Sequence, residues 1–514
     1  MYDFVFFTDV TDTLMAYKPI GAYKCAYMLR EQGYSCLVVD HLHTFSLEEF
    51  NQILDLAVSE KTRAVGFSST FLKTVNKKDD SVATQYDTMM SVDSHFFPQG
   101  PAFEEQAINL IKQKNSQCKI LLGGVRAHAN VNNRHIDYSM VGFSESSIIN
   151  FADHLINGIE LKNSHKNIWG IIIIDDKYAS SYDFKNSKFH WEDTDVVNAR
   201  VLPLEISRGC IFRCKFCSYP MIGKKNLDFI RNIELLREEM QSNYDRFGVD
   251  IYYIIDDTFN DNDFKLDTML EAVKQLTFKP KFWAYTRLDL LTTRQHVDKL
   301  YQIGLCGMYF GIESLNPTTA KIIGKGFDRS KQIQTIKEIR EKYNNDIIMH
   351  GSFIIGLPEE SLDSIHDTFN RVMSEDIPLH TFRFAGLWLD RDTRVNWISE
   401  LSKNYTDYGY AVEPADQDDI YGMKWSNKFM DRTKAFDLAN TFNRQAFETE
   451  RYYVPGQIVW ALFNYGYDFN FLSNLKYKNI NWNEIETQDK PKFMNEYKQQ
   501  LIEKLKLKKD YNGL

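Results

Sequence analysis

The chain reads as an α/β protein in three parts: an N-terminal doubly wound parallel sheet, a partial (β/α)6 barrel and a mainly helical C-terminal region. Three observations predict this. Short apolar runs alternate with helical patterns through the first 160 residues, and a second array of six such units starts near residue 202. After about residue 390 the alternation gives way to dense aromatics and helical periodicity. The expected boundaries are 1–160, a connector at 161–200, 201–390 and 391–514.

In the first part the strands fall at 3–7, 35–39, 63–68, 118–122 and 137–141, with helices at 21–31, 46–58, 103–112 and 146–156. Parallel sheets of this kind bind ligands beyond the carboxyl ends of their strands. The turns there carry Pro19-Ile20-Gly21, Ser68-Ser69-Thr70 and Gly123-Gly124. Small residues let a backbone approach a ligand closely, although the same residues also make ordinary turns. The connector holds a small strand pair at 171–174 and 188–191. Barrel strands follow at 204–207, 251–255, 281–285, 307–311, 349–355 and 380–385, separated by helices at 230–244, 264–275, 294–302, 330–343 and 362–373. In a barrel the chemistry belongs at the carboxyl ends of the strands.

Beyond residue 390, Tyr405, Tyr408, Tyr410, Tyr421 and Trp425 precede a helical stretch at 431–463. Such aromatics suit a substrate-closing lid or a helical core. The segment 490–509 mixes Leu501, Ile502, Leu505 and Leu507 with seven lysines, and reads as a solvated terminal helix or a contact to an anionic surface.

Composition narrows the function classes. With 43% hydrophobic and 25% charged residues the 514-residue chain is globular. A net charge of -9 argues against a broad surface for duplex nucleic acid. No signal-peptide pattern opens the chain and no apolar run spans a bilayer, so a cytoplasmic protein without a transmembrane segment is expected. Seven cysteines are too few for a disulfide framework, but three of them lie within eight residues.

That cluster, Cys210-Ile-Phe-Arg-Cys214-Lys-Phe-Cys217, follows a predicted strand. A structural zinc site needs a fourth ligand, usually from a second pair, and the nearest downstream histidine is His296. Short cysteine spacings instead suit an iron–sulfur cube held by one loop, and three thiolates would leave one iron open.

The run CIFRCKFCSYP at the head of a (β/α) array resembles the radical S-adenosylmethionine (SAM) superfamily, and the similarity continues through most of residues 200–390. The resemblance implies a 4Fe–4S cluster on Cys210, Cys214 and Cys217, SAM on the open iron, and cleavage to a 5′-deoxyadenosyl radical. It implies an adenine neighbour in Phe216 and acceptors for the methionine ammonium in Asp256 and Asp257, although a helix-capping role is open to the latter pair. Arg287 and Glu313 match positions lining the cofactor pocket, where a salt-bridged rim would explain them as well. Ser352, Ile354 and Gly356 match the family's Gly-x-Ile-x-Gly-x-x-Glu pattern around the adenine, with Ser352 in place of the first glycine and Glu359 at its end. Arg383 is a candidate contact to cofactor or substrate.

With this barrel, residues 1–150 resemble the Rossmann-like cobalamin-binding domains of the same superfamily. Pro19, Gly21, Ser68, Ser69, Thr70, Gly123 and Gly124 then match segments around the corrin. The Asp-x-His-x-x-Gly pattern that ligates cobalt is missing after the first strand, and His95 is only a near-miss, so the expected cobalamin lacks a lower histidine ligand. Together these imply a cobalamin-dependent methyltransferase acting on an unactivated carbon or phosphorus of a small-molecule, lipid or peptide substrate. An electron donor such as flavodoxin or ferredoxin is implied as partner. The alternatives are a radical cyclase, epimerase or rearrangement enzyme without methylcobalamin, a methylthiotransferase using Cys25, Cys36 and Cys118, and a non-catalytic carrier. No catalytic proton donor or acceptor is identified.

Overall fold

The N-terminal sheet has seven strands, β1 (Phe4–Phe7), β2 (Cys36–Val39), β3 (Ala64–Ser68), β4 (Lys119–Gly123), β5 (Tyr138–Gly142), β6 (Ser164–Lys166) and β7 (Ile172–Asp176). They lie in the order β2-β1-β3-β4-β5-β7-β6, parallel throughout except for β6. The reversal of direction at β1 opens a crevice above β1 and β3, where doubly wound sheets hold their ligands. β1 and β2 are buried at every position, as strands covered on both faces must be. The structure, a computed structural model, describes residues 1–8, 18–68, 100–124, 127, 131, 133–176, 182–218, 229–294, 296–326, 328–391, 398–414 and 422–511. Ser69, Thr70, His95 and Tyr421 lie outside the described residues.

The second sheet runs in sequence order, β8 (Val201–Leu204), β9 (Ile251–Ile254), β10 (Lys281–Thr286), β11 (Leu305–Glu313), β12 (Ile348–Ile355) and β13 (Thr381–Gly386), all parallel. Among the described residues no pairing joins β8 to β13, which gives the partial (β/α)6 barrel expected from the sequence. C-terminal asparagines serve both open edges. Asn443 accepts from the Phe384 N–H at 2.9 Å and donates to its carbonyl at 2.8 Å, while Asn464 accepts from Arg200 and Val201 N–H at 2.8 and 3.0 Å. Edge strands left with bare amides would invite foreign pairing.

Three sequence expectations need correction. Residues 188–191 form no strand; β7 instead joins the main sheet beside β5 and takes β6 as its antiparallel partner. Phe189 and Trp191 are apolar because they are buried, not because they pair. The first barrel strand ends at Leu204, three residues early, and contains Pro203, which an edge strand tolerates because no ladder bond is lost. The stretch 431–463 is two helices, Arg432–Phe447 and Gly456–Asn464, with Pro455 capping the second.

The terminal helix Lys490–Tyr511 is not solvated all round. Tyr497, Leu501 and Leu505 recur at four-residue spacing and are buried in the core of the N-terminal sheet. Tyr497 Oη accepts from the Asp40 N–H at 2.6 Å, and Lys498 reaches Glu49 at 2.8 Å. Among the described residues no helix is long and apolar enough to cross a membrane.

Candidate active site at the carboxyl ends of both sheets

Beyond β8 the chain leaves the sheet and turns through Gly209 (φ +81°) into the cysteine loop. Cys210, Cys214 and Cys217 are half-buried on that one loop. Polar side chains flank two of the sulfurs. The Arg287 guanidinium donates to Cys214 Sγ at 3.3 Å, and the Thr258 hydroxyl lies 3.3 Å from Cys210 Sγ. Burial pushes the Cys210 thiol up, and the Thr258 bond opposes that. Among the described residues no three His, Cys, Asp or Glu side chains converge at single-ion spacing. Three thiols on one short loop fit a cube whose ligands occupy different corners.

Arg287 ends β10 and belongs to this loop. It forks onto Asp289 at 2.9 and 2.8 Å and stacks over the Phe212 ring at 3.6 Å. Asp256, beyond β9, is fully occupied: it accepts from the Ile206 and Ser207 amides at 2.9 and 3.0 Å and from the Ser207 hydroxyl at 2.6 Å, with Lys265 at 3.4 Å. It splices β8 to β9. Its neighbour Asp257 is half-buried, and its carboxylate makes no hydrogen bond or ion pair among the described residues.

Burial, followed by repulsion from Asp256, pushes the Asp257 carboxyl up to about 7 from 3.8. A raised folded value means the neutral form is preferred on folding. The contribution to stability is therefore full below about pH 4 and is lost as pH rises through about 7. Asp257→Asn is expected to melt like the parent at the acid end and at higher temperature above pH 7, as thermal unfolding of the metal-free chain will show.

Glu313 ends β11 at φ +67°, a left-handed conformation that a non-glycine residue adopts only when its surroundings enforce it. Lys325 enforces it, 3.2 Å from Glu313 and 2.6 Å from the Gly311 carbonyl, with its ammonium 6.0 Å from the Phe216 ring. Next to it Ser314 donates to the buried Glu360, whose carboxyl burial pushes up to about 8. The glutamate that completes the sequence pattern, Glu359, is exposed and paired with Lys428. Ser352 and Ile354 are half-buried on β12, with Ser352 in register between Gly311 and Arg383. Gly356 has φ +99°, and a Cβ there would stand 2.4 Å from Trp425, while its carbonyl accepts from Tyr410 at 2.7 Å. Packing of the C-terminal region thus accounts for that glycine. Arg383 stands half-buried on β13 and lowers the buried His350 toward about 3, second to burial itself.

Sequence reasoning missed Arg329. It opens the helix Arg329–Tyr343, is 9% exposed, and spends one nitrogen on Gln332 at 2.6 Å, leaving Nε and Nη2 with no hydrogen-bond partner among the described residues. Glu313, Asp289 and Glu360 act on it electrostatically, yet among the described residues none reaches ion-pair distance. An orphaned guanidinium is an anion site in waiting.

Across from the loop stands the N-terminal sheet. Lys24 pairs with Glu205, Arg208 Nε donates to Glu205 at 2.7 Å, and Arg208 Nη2 donates to Glu145, all largely buried. The Tyr253 hydroxyl donates to the Lys18 carbonyl at 3.3 Å. Lys18 and Lys24 follow β1, Glu145 follows β5, and Glu205 and Arg208 follow β8, so the carboxyl ends of the two sheets meet here. Pro19, Gly21, Ser68, Gly123 and Gly124 all lie on that side of the N-terminal sheet. Among the described residues a Cβ at Gly21 or Gly123 would meet nothing within 4 Å. Cys25, Cys36 and Cys118 sit on separate elements. Burial pushes the Cys25 and Cys118 thiols up to about 12 and the Cys36 thiol higher still.

Residues 204–372 match the radical SAM superfamily. An uncharacterized methyltransferase of Pyrococcus horikoshii, PH0819, is 31% identical over 35% of this chain and 38% of its own length. The bacteriochlorophyllide d C-12(1)-methyltransferase of Chlorobaculum tepidum is 25% identical over 42% and 48%. The match thus spans less than half of these curated relatives. The radical SAM methyltransferase TsrM of Kitasatospora setae, solved with cobalamin and a [4Fe-4S] cluster, superposes with a TM-score of 0.57 at 13% identity, covering 97% of this chain and 100% of that one. The cobalamin-dependent radical enzyme OxsB, solved with aqua-cobalamin and SAM, gives 0.59 at 14% identity, covering 99% and 80%. Residues 204–372 are a radical SAM domain, carried in a chain with the fold of TsrM and OxsB.

Proposed function

We propose that the protein is a cobalamin-dependent radical SAM methyltransferase acting on an unactivated carbon or phosphorus of a small-molecule, lipid or peptide substrate. One observation carries this reading: the cysteine loop opens where the carboxyl ends of a radical SAM barrel and a doubly wound sheet are bolted together by buried charges. When bound, the cluster with SAM supplies hydrogen-abstracting radical chemistry, and cobalamin supplies a methyl carrier. The chain's own residues bind and orient. Cys210, Cys214 and Cys217 would hold the cluster, with Arg287 donating to the Cys214 sulfur and the Thr258 hydroxyl beside that of Cys210. Asp257 accepts the methionine ammonium, while the buried Asp256 keeps its loop in place. Phe216, Ser352, Ile354 and the Gly356 backbone border the adenine, Glu313 the ribose, and Arg383 the substrate. Pro19, Gly21, Ser68, Gly123 and Gly124, with Ser69 and Thr70, would border a corrin, for which the sequence offers no Asp-x-His-x-x-Gly ligand motif. A flavodoxin or ferredoxin supplies the electrons.

The test is anaerobic reconstitution with iron, sulfide and cobalamin. About four irons and one cobalt per chain are expected, with 5′-deoxyadenosine formed on reduction and label from methyl-labelled SAM recovered on the corrinoid. Iron and 5′-deoxyadenosine without bound cobalt would shift the reading to a non-methylating cyclase, epimerase or rearrangement enzyme.

Arg329 gives a sharper check. Its two unpaired nitrogens suit the SAM carboxylate, and a charge-assisted hydrogen bond contributes about 1.5–3 kcal/mol. The reconstituted protein is expected to bind SAM roughly 10- to 100-fold more tightly than decarboxylated SAM. In Arg329→Gln that preference should fall about tenfold or more in equilibrium dialysis, by the share the guanidinium supplies.

A further inference from the structure

At the amino-terminal edge of the first sheet, opposite the site above, Lys119, Arg134, Asp137, Tyr138, Lys166 and Trp169 border a cleft of about 600 Å³. Its charge is mostly positive and mostly unspent. Asp137 is committed to the Ile120 amide at 2.8 Å and to Lys112 at 3.5 Å, and Arg134 to the exposed Glu105 at 3.1 Å. Lys119 and Lys166 make no ion pair among the described residues. Over the cleft stands the turn between β6 and β7, which holds Ile168 at 88% exposure and Trp169 at 49%.

That turn is built to stay where it is. Asn167 accepts from the Trp169 and Ile171 amides at 3.0 Å each, and its own amide donates to the Ile171 carbonyl at 2.9 Å. Its side-chain nitrogen donates to the Val131 carbonyl at 2.8 Å, and Gly170 closes the turn at φ +87°. A single asparagine thus locks two large apolar side chains into water, an arrangement that costs free energy until something covers them.

We infer that this edge docks on an anionic phospholipid surface, with a headgroup phosphate in the cleft and Ile168 and Trp169 in the apolar boundary beneath it. A dissolved anion would explain the cations but not the protruding pair. A neutral apolar partner would explain the pair but not the cations. An anionic bilayer presents both layers at the spacing of adjacent residues, and indole rings favour that boundary. The overall charge of -9 repels the rest of the chain from such a surface, which confines contact to this edge. The catalytic mouth, at the other end of the strands, stays clear.

The experiment is co-sedimentation of the full chain with phosphatidylcholine vesicles, with and without phosphatidylglycerol. Binding is expected only with phosphatidylglycerol, weakening with added salt. It should fall at least about tenfold in Ile168→Asp/Trp169→Asp, a fold change set by the lost apolar burial, and similarly in Lys119→Glu/Lys166→Glu, with unchanged thermal midpoints. Equal binding by either variant, or no binding by the parent, overturns the inference. So does binding of free inorganic phosphate without vesicles, which would mark a soluble-anion site. A change of oligomeric state in Ile168→Asp also overturns it, because the tip would then be an interface between copies of the chain.

Discussion

Replacing Cys210, Cys214 or Cys217 singly by alanine is expected to abolish reductive formation of 5′-deoxyadenosine and to strip most of the iron from reconstituted protein. The metal-free chain should melt within about 3 °C of the parent, because half-buried loop thiols contribute little packing. Cys306 is the matched control. It is buried on β11, with its thiol pointed at the Phe282 carbonyl 3.4 Å away. Cys306→Ala should invert the pattern, with a lower melting temperature and iron retained. Iron by ferrozine assay and 5′-deoxyadenosine by chromatography decide it. A loop variant that keeps its full iron and activity would remove the basis for any radical chemistry in this chain.

The sheets were legible because buried parallel strands need continuous apolar runs, and FVFF, CLVV and KILLG have nothing else to be. Helix limits were legible where caps were strong, as at Ser46 with its capping box onto Glu49. Strand β8 slipped because Glu205 to Arg208 look like strand residues locally, but their side chains are claimed by Lys24, Glu145 and Asp256 from other elements. Such tertiary claims leave no periodicity to read. The same holds in the site. The cysteine spacing is local and was readable; the choice between Asp256 and Asp257 depends on which carboxylate the fold consumes. Glu360 rather than Glu359 is buried because the backbone at Glu359 turns left-handed, at φ +59°. Arg329 stands sixteen residues past Glu313, on a helix whose pattern gives no reason to single it out.

Arg208→Met is expected to destabilise the chain by about 3–5 kcal/mol, the usual cost of leaving a buried charge alone. The guanidinium lies between the Phe143 and Phe184 rings, 4.5 and 4.4 Å from their centroids, so methionine keeps much of the packing while the charge is lost. Glu205 retains Lys24, but Glu145 loses its ion-pair partner inside the junction. Arg208→Met/Glu145→Gln should therefore recover part of the loss, which a simple packing defect would not. Burial presses the Glu205 carboxyl up, but Lys24 and Arg208 outweigh it and hold it well below its ordinary 4.5. A depressed value means that the pair's contribution is full above pH 4.5 and fades only as pH falls well below it. The functional signature is separable. The cysteine loop begins two residues later and belongs to the barrel, so iron content and 5′-deoxyadenosine formation should survive. Transfer of methyl label to cobalamin, which needs both sheets in fixed apposition, should fall much further. A variant that melts like the parent, or that loses both activities in step, would show that the junction does not set the spacing between the two sheets.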